Sequence, residues 1–89
     1  MISTYAQLNE KLAAAFSAIS PGSDPVLRTS DHGDYQANGV MALAKALGRP
    51  PRDVAVDVLA RLDLEGVANV EIAGPGFLNL TLTPEFLAR

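Results

Sequence analysis

The chain has 89 residues, no cysteine and one histidine, which excludes a disulfide scaffold and any cysteine-based metal centre. Apolar residues make up 48% and charged ones 19%, an ordinary globular balance, and no apolar run approaches the ~18 residues that a membrane span needs. Seven Lys and Arg against ten Asp and Glu leave a net charge of -3, which argues against a freestanding nucleic-acid binder, because clustered cations supply most of the non-specific affinity for phosphate.

At this length residues 1–89 read as a single domain, able to bury over ~60% of its unfolded surface without staples. The opening MISTYAQLNEKL has neither a basic leader nor an apolar block, so the reading is a soluble, cytoplasmic protein without a signal peptide. Tyr5, Leu8, Leu12, Phe16 and Ile19 recur at the three- and four-residue spacing of one helical stripe. The spacing predicts a helix over 3–19, started by Ser3 or Thr4 and ended by Ser20-Pro21-Gly22. Val26 to Thr29, between turn formers, is a short strand candidate.

Asp34 is positioned to cap a second helix with Ala37, Val40, Met41, Ala44 and Leu47 facing inward and Gly48 at its end. Gly39 and the alanines that follow allow close packing against a neighbour. Pro50-Pro51 opens a third helix, since proline suits a first turn whose N–H groups have no partner in the helix. Its stripe is Val54, Ala55, Val58, Leu59 and Leu62, and Glu65-Gly66 closes it. The period then changes from 3.6 to 2. Val70 and Ile72 alternate with Asn69, Glu71 and Ala73; after Gly74-Pro75-Gly76, Leu78, Leu80 and Leu82 alternate with Phe77, Asn79, Thr81 and Thr83. This is a β-hairpin with one apolar and one polar face. Thr83-Pro84-Glu85-Phe86-Leu87 has the cap and first-turn proline of a further helix that barely begins, and this predicts that the sequence is the front of a longer polypeptide. The order of elements gives an α+β fold, with helices packed on one face of a small, mostly antiparallel β-sheet.

The polar hairpin face begins with a phenylalanine. Phe77 and Asn79 stand roughly 6.6 to 6.8 Å apart along one strand face. An aromatic ring there offers a stacking platform for a base, and a neighbouring amide can both donate to and accept from a base edge. The bland alternative folds Phe77 over the hairpin end or beneath Phe86, with Asn79 merely solvated. Lys45, Arg49 and Arg52 form a small basic group around the turn between the second and third helices, either solvated surface or phosphate contacts. The glycine-rich turn before Phe77 leads into a strand rather than a helix, and Pro75 lacks a donor, so a tight hairpin turn fits it better than a phosphate loop. Asp31-His32-Gly33-Asp34 is read as turn and cap rather than metal site, since a single histidine cannot assemble a zinc-type set. No nucleophile, acid/base pair or metal set converges, so no catalytic residue is assigned.

Two segments, GDYQANGVMALAK (Gly33 to Lys45) and VEIAGPGFLNLTL (Val70 to Leu82), closely resemble the N-terminal additional domain of bacterial arginyl-tRNA synthetases. The likeness runs from about Val26 to Leu87 and includes the exit Pro84-Glu85-Phe86-Leu87. The resemblance implies a domain ahead of a class I catalytic core, leaning on the outer corner of tRNA-Arg and contacting its D-loop. In that family an aromatic residue and an amide two positions later, on the strand after the Gly-Pro turn, receive one D-loop base; they correspond to Phe77 and Asn79. Some relatives carry a further polar residue before the turn, a role Ala73 cannot fill. The family's His-x-Gly-His signature and Lys-Met-Ser-Lys-like loop are absent from these residues. The fragment is therefore expected to use no cofactor itself, with ATP and Mg bound by the catalytic part of the parent arginine-tRNA ligase. Its expected partners are tRNA-Arg and the rest of the synthetase chain, not membrane or DNA. The competing reading is a structural or protein-interaction module that docks another domain or subunit.

Overall fold

The computed structural model describes residues 3–30 and 34–87. In chain order these form α1 (Thr4–Ile19), β1 (Leu27–Thr29), β2 (Tyr35–Ala37), α2 (Val40–Leu47), α3 (Pro51–Ala60), β3 (Ala68–Ala73), β4 (Phe77–Leu82) and α4 (Pro84–Leu87). The strands join in one sheet of order β1-β2-β4-β3, and each neighbouring pair is antiparallel. Helix α1 packs on α3, α2 packs on α3, and α2 and α3 meet the sheet at β4 and β3. The fold is α+β, with the helices against one sheet face.

Helix α1 starts where its first turn finds an acceptor. Ser3 is the cap, its Oγ accepting the Ala6 N–H at 3.1 Å. Leu8, Leu12, Ala15 and Phe16 form the buried stripe. Tyr5, expected on that stripe, is 45% exposed. Its hydroxyl donates to the Leu27 carbonyl at 3.2 Å, and its ring lies 6.4 Å from that of Tyr35. The tyrosine therefore ties the helix start to the sheet edge instead of filling the core.

The segment 26–47 differs most from the pattern reading. Val26 lies before β1, not in it, with φ at 51°, a left-handed conformation that costs a β-branched residue energy. Asp24 holds it there: Oδ1 accepts the Val26 N–H at 2.8 Å. Asp34 does not cap a helix. Residues 35–37 form β2, and α2 begins at Val40 with Gly39 as its cap. The reason is non-local, because β2 is zipped between β1 and β4. Cross-strand pairing outweighs a helical spacing that only the local residues supply. Ala37 is buried, but from a strand; Met41 and Leu47, expected inward, are each 37% exposed. Gly48 does end α2, at a φ of 67°. Residues 31–33, which the turn and cap reading includes, lie outside the described residues.

Helix α3 takes Pro50 as cap and Pro51 as its first residue, and it buries Val54, Ala55 and Val58. It stops at Ala60, short of Glu65-Gly66. The Arg61 and Leu62 amides turn back to the carbonyls of Val58 and Leu59 in tightened i to i−3 bonds, which frees Leu64 to enter the core. The hairpin forms as its alternation demands, with Leu78 and Leu80 fully buried and opposite Ile72 and Val70. At its exit, Thr83 Oγ1 donates to the Gly66 carbonyl at 2.9 Å and accepts from the Phe86 N–H at 3.2 Å, so α4 begins at Pro84 as its cap chemistry requires.

Candidate nucleic-acid interface

Sheet register decides which side chains share the helix-free face. Leu27, Ala37, Leu78 and Ile72 lie in one row across β1, β2, β4 and β3, and the first three are buried against the helices. Successive residues of a strand point to opposite faces. The next row, Arg28, Gln36, Asn79 and Glu71, therefore points away from the helices. Phe77 and its partner Ala73 lie on that same outer side, as do Thr81 and its partner Asn69.

Phe77 is half-buried, and it is not among the described hydrophobic residues that pack on the core. Its shelter is its own turn: a Cβ placed on Gly74 would sit 3.5 Å from Phe77 Cδ2, so the ring leans along the hairpin end, as the first half of the bland alternative has it. Phe86 does not cover it. That residue follows the far end of β4, roughly 17 Å of strand away. Opposite Phe77 stands the small Ala73. Asn79 is also half-buried, and it is not simply solvated, because its Oδ1 accepts from Gln36 Nε2 at 2.7 Å. The structure thus brings the two predicted residues together and adds a third, Gln36. Sequence reading missed it by placing residue 36 in a helix. The one available signal was the Tyr35-Gln36-Ala37 alternation, apolar on both sides of an amide.

The turn that carries Phe77 is anchored to α3. Arg52 Nη1 donates to the Gly74 carbonyl at 2.6 Å, and a Cβ on Gly76 would come within 3.0 Å of Pro51 Cβ. Gly76 therefore lets the turn approach α3 closely. Arg52 places a guanidinium at the rim of the platform. Arg49 pairs with Asp57 at 2.6 Å, both side chains about two-fifths exposed (42% and 39%). A surface pair of this kind contributes about 0–1 kcal/mol. Lys45, in the last turn of α2, is exposed. Asp34 closes the other end of the sheet: its N–H donates to Leu80 O at 2.9 Å and its Oδ2 accepts the Leu82 N–H at 2.7 Å. Among the described residues no group of three or more His, Cys, Asp or Glu could hold a metal, and no helix is long and apolar enough to cross a membrane.

Among the described residues these features define a small α+β domain with one sheet face closed by helices and the other left polar around a single aromatic ring. The family model for the arginyl tRNA synthetase N terminal domain matches residues 6–82. Similar proteins include the arginine–tRNA ligase of Enterobacter sp. (strain 638), 56% identical over 89 residues that cover 93% of this chain and 15% of the ligase. The arginine–tRNA ligase of Streptomyces avermitilis is 45% identical over 91 residues, covering 98% of this chain and 15% of that protein. The chain belongs to the family of arginyl-tRNA synthetase N-terminal domains, and it spans about 15% of the length of the ligases it matches. Among solved structures, the arginyl-tRNA synthetase of Plasmodium falciparum superposes with a TM-score of 0.83 at 12% identity, over 93% of this chain and 16% of that one. At that identity the likeness concerns the fold.

Proposed function

We propose that this domain recognises tRNA for an arginine–tRNA ligase, resting its helix-free sheet face on the D-loop at the outer corner of tRNA-Arg. Phe77 stacks on one splayed-out base, and Asn79 hydrogen-bonds that base's edge. The observation that carries this reading is the position of Phe77. It lies outside the core, on the face without helices, beside an amide already held in place. Burial of a phenylalanine is worth roughly 1.5–3 kcal/mol, so a ring left half-covered on a polar face fits a partner better than it fits stability. Stacking a base on it is worth about 1–3 kcal/mol.

Arg52, at the rim of the turn, together with Arg49 and Lys45 nearby in sequence, is suited to the backbone phosphates that flank the base. Three cations are few. With a net charge of -3, the domain reads one loop, and the rest of the synthetase supplies most phosphate contacts. ATP, Mg and the arginylation chemistry belong in this reading to the catalytic part of the ligase, in the cytoplasm; no residue here is assigned to them.

Chemical-shift mapping of the 89-residue chain with tRNA-Arg tests the proposal, because weak binding suffices for it. The expected result is perturbation concentrated at Gln36, Gly74, Phe77 and Asn79. Perturbation confined to α1 or to the exposed side of α3, or its appearance only on adding another protein domain, would favour a docking module instead.

A further inference from the structure

Asn79 carries a donor and an acceptor on one amide, so what it tells a base depends on which end faces outward. The row in which it sits makes that choice. Gln36 Nε2 donates to Asn79 Oδ1 at 2.7 Å, which commits the oxygen to the β2 side. On the other side the direct cross-strand partner is Glu71, whose carboxylate only accepts. A turned-over amide would aim Oδ1 at that carboxylate and present an NH2 group to the Gln36 NH2. Beyond Gln36, its own partner on β1 is Arg28, which favours the Gln36 oxygen on the β1 side and its NH2 towards Asn79. Arg28, Gln36, Asn79 and Glu71 thus follow one another across the sheet from a cation to an anion. Among the described residues nothing accepts from Asn79 Nδ2.

We propose that Gln36 is a positioning residue that holds the Asn79 oxygen, so that the amide's NH2 group is the end left to meet a base edge. The site then selects a base edge that offers a hydrogen-bond acceptor at that point. This rests on the reading of Phe77 and Asn79 as the base platform. Its consequence is specific: the polarity of recognition is set by a residue that itself need not touch the RNA.

The test uses an arginine–tRNA ligase carrying this domain. Four tRNA-Arg transcripts are compared that differ only at the D-loop base whose replacement most raises the wild-type KM. Gln36→Glu offers Asn79 acceptors alone, so the amide turns over and Oδ1 becomes the end left for the base. The expected outcome is a changed order of kcat/KM among the four transcripts, the wild-type favourite losing about tenfold relative to the others, the scale of one hydrogen bond. Gln36→Leu releases the amide to either orientation and narrows the spread among the four. A purely structural role for Gln36 would lower all four together. In the 89-residue chain, Gln36→Glu should shift the Asn79 side-chain NH2 resonances while the backbone signals of α1 stay in place. If Phe77→Ala raises the tRNA KM but Gln36→Glu keeps the wild-type base order, the positioning role is wrong and the platform stands. If Phe77→Ala leaves that KM unchanged, both are wrong.

Discussion

Single residues in this domain are constrained by close approach more than by bulk. At Gly39, between β2 and α2, a Cβ would lie 2.1 Å from Asp24 O and within 2.9 Å of the Pro25 backbone. Those are main-chain atoms, tied to the same place by the Gly39 N–H to Pro25 O bond at 2.9 Å, and they cannot rotate aside. Gly39→Ala is therefore expected to destabilise by at least the ~1–3 kcal/mol typical of overpacking. In a domain of this size that lowers Tm by roughly 4–8 °C per kcal/mol. Thermal denaturation checks it, and an unchanged Tm would mean that the 24–25 segment yields freely. The sequence announces this glycine only as small; what it must avoid lies about fifteen residues earlier and is invisible in the local pattern.

At the scale of elements, what could be read in advance and what could not divide along one line. Helices α1 and α3, the β3–β4 hairpin and the Thr83-Pro84 exit follow from local signals: a stripe, a cap, a first-turn proline, an alternation. Strand β2 does not. Its three residues draw their stability from pairing with β4, whose partner positions lie more than forty residues on, and no window of neighbouring residues contains that information. The candidate site splits the same way. Phe77 and Asn79 stand out of a clear alternation, whereas Gln36 matters only because the sheet sets it opposite Asn79. Asp34 illustrates the misreading, for its carboxylate acts as a cap not on a helix but on the end of β4. Asp34→Ala should cost about 1 kcal/mol, the net worth of one such hydrogen bond with water available as replacement. Amide hydrogen exchange at Leu82 should quicken in step, and exchange that stays at the wild-type rate would show that the side chain does not guard that strand end.

Across the whole molecule the division of labour is between a closed face and an open one. Helices α1, α2 and α3 and the inner face of the sheet hold the core; among the described residues the outer face holds charges, amides and one ring, on a domain whose overall charge is negative. In the proposed function such a surface reads a single exposed base and leaves the grip on the phosphate backbone to the rest of the ligase. Removing the ring should therefore weaken recognition of tRNA and leave the chemistry of arginine activation alone.

The most direct measurement is steady-state kinetics of Phe77→Ala in an arginine–tRNA ligase carrying this domain. The expected result is a KM for tRNA-Arg raised about tenfold or more, the scale of one lost base–aromatic stack, with the KM values for ATP and arginine nearly unchanged. A tRNA KM equal to that of the unaltered enzyme would contradict it.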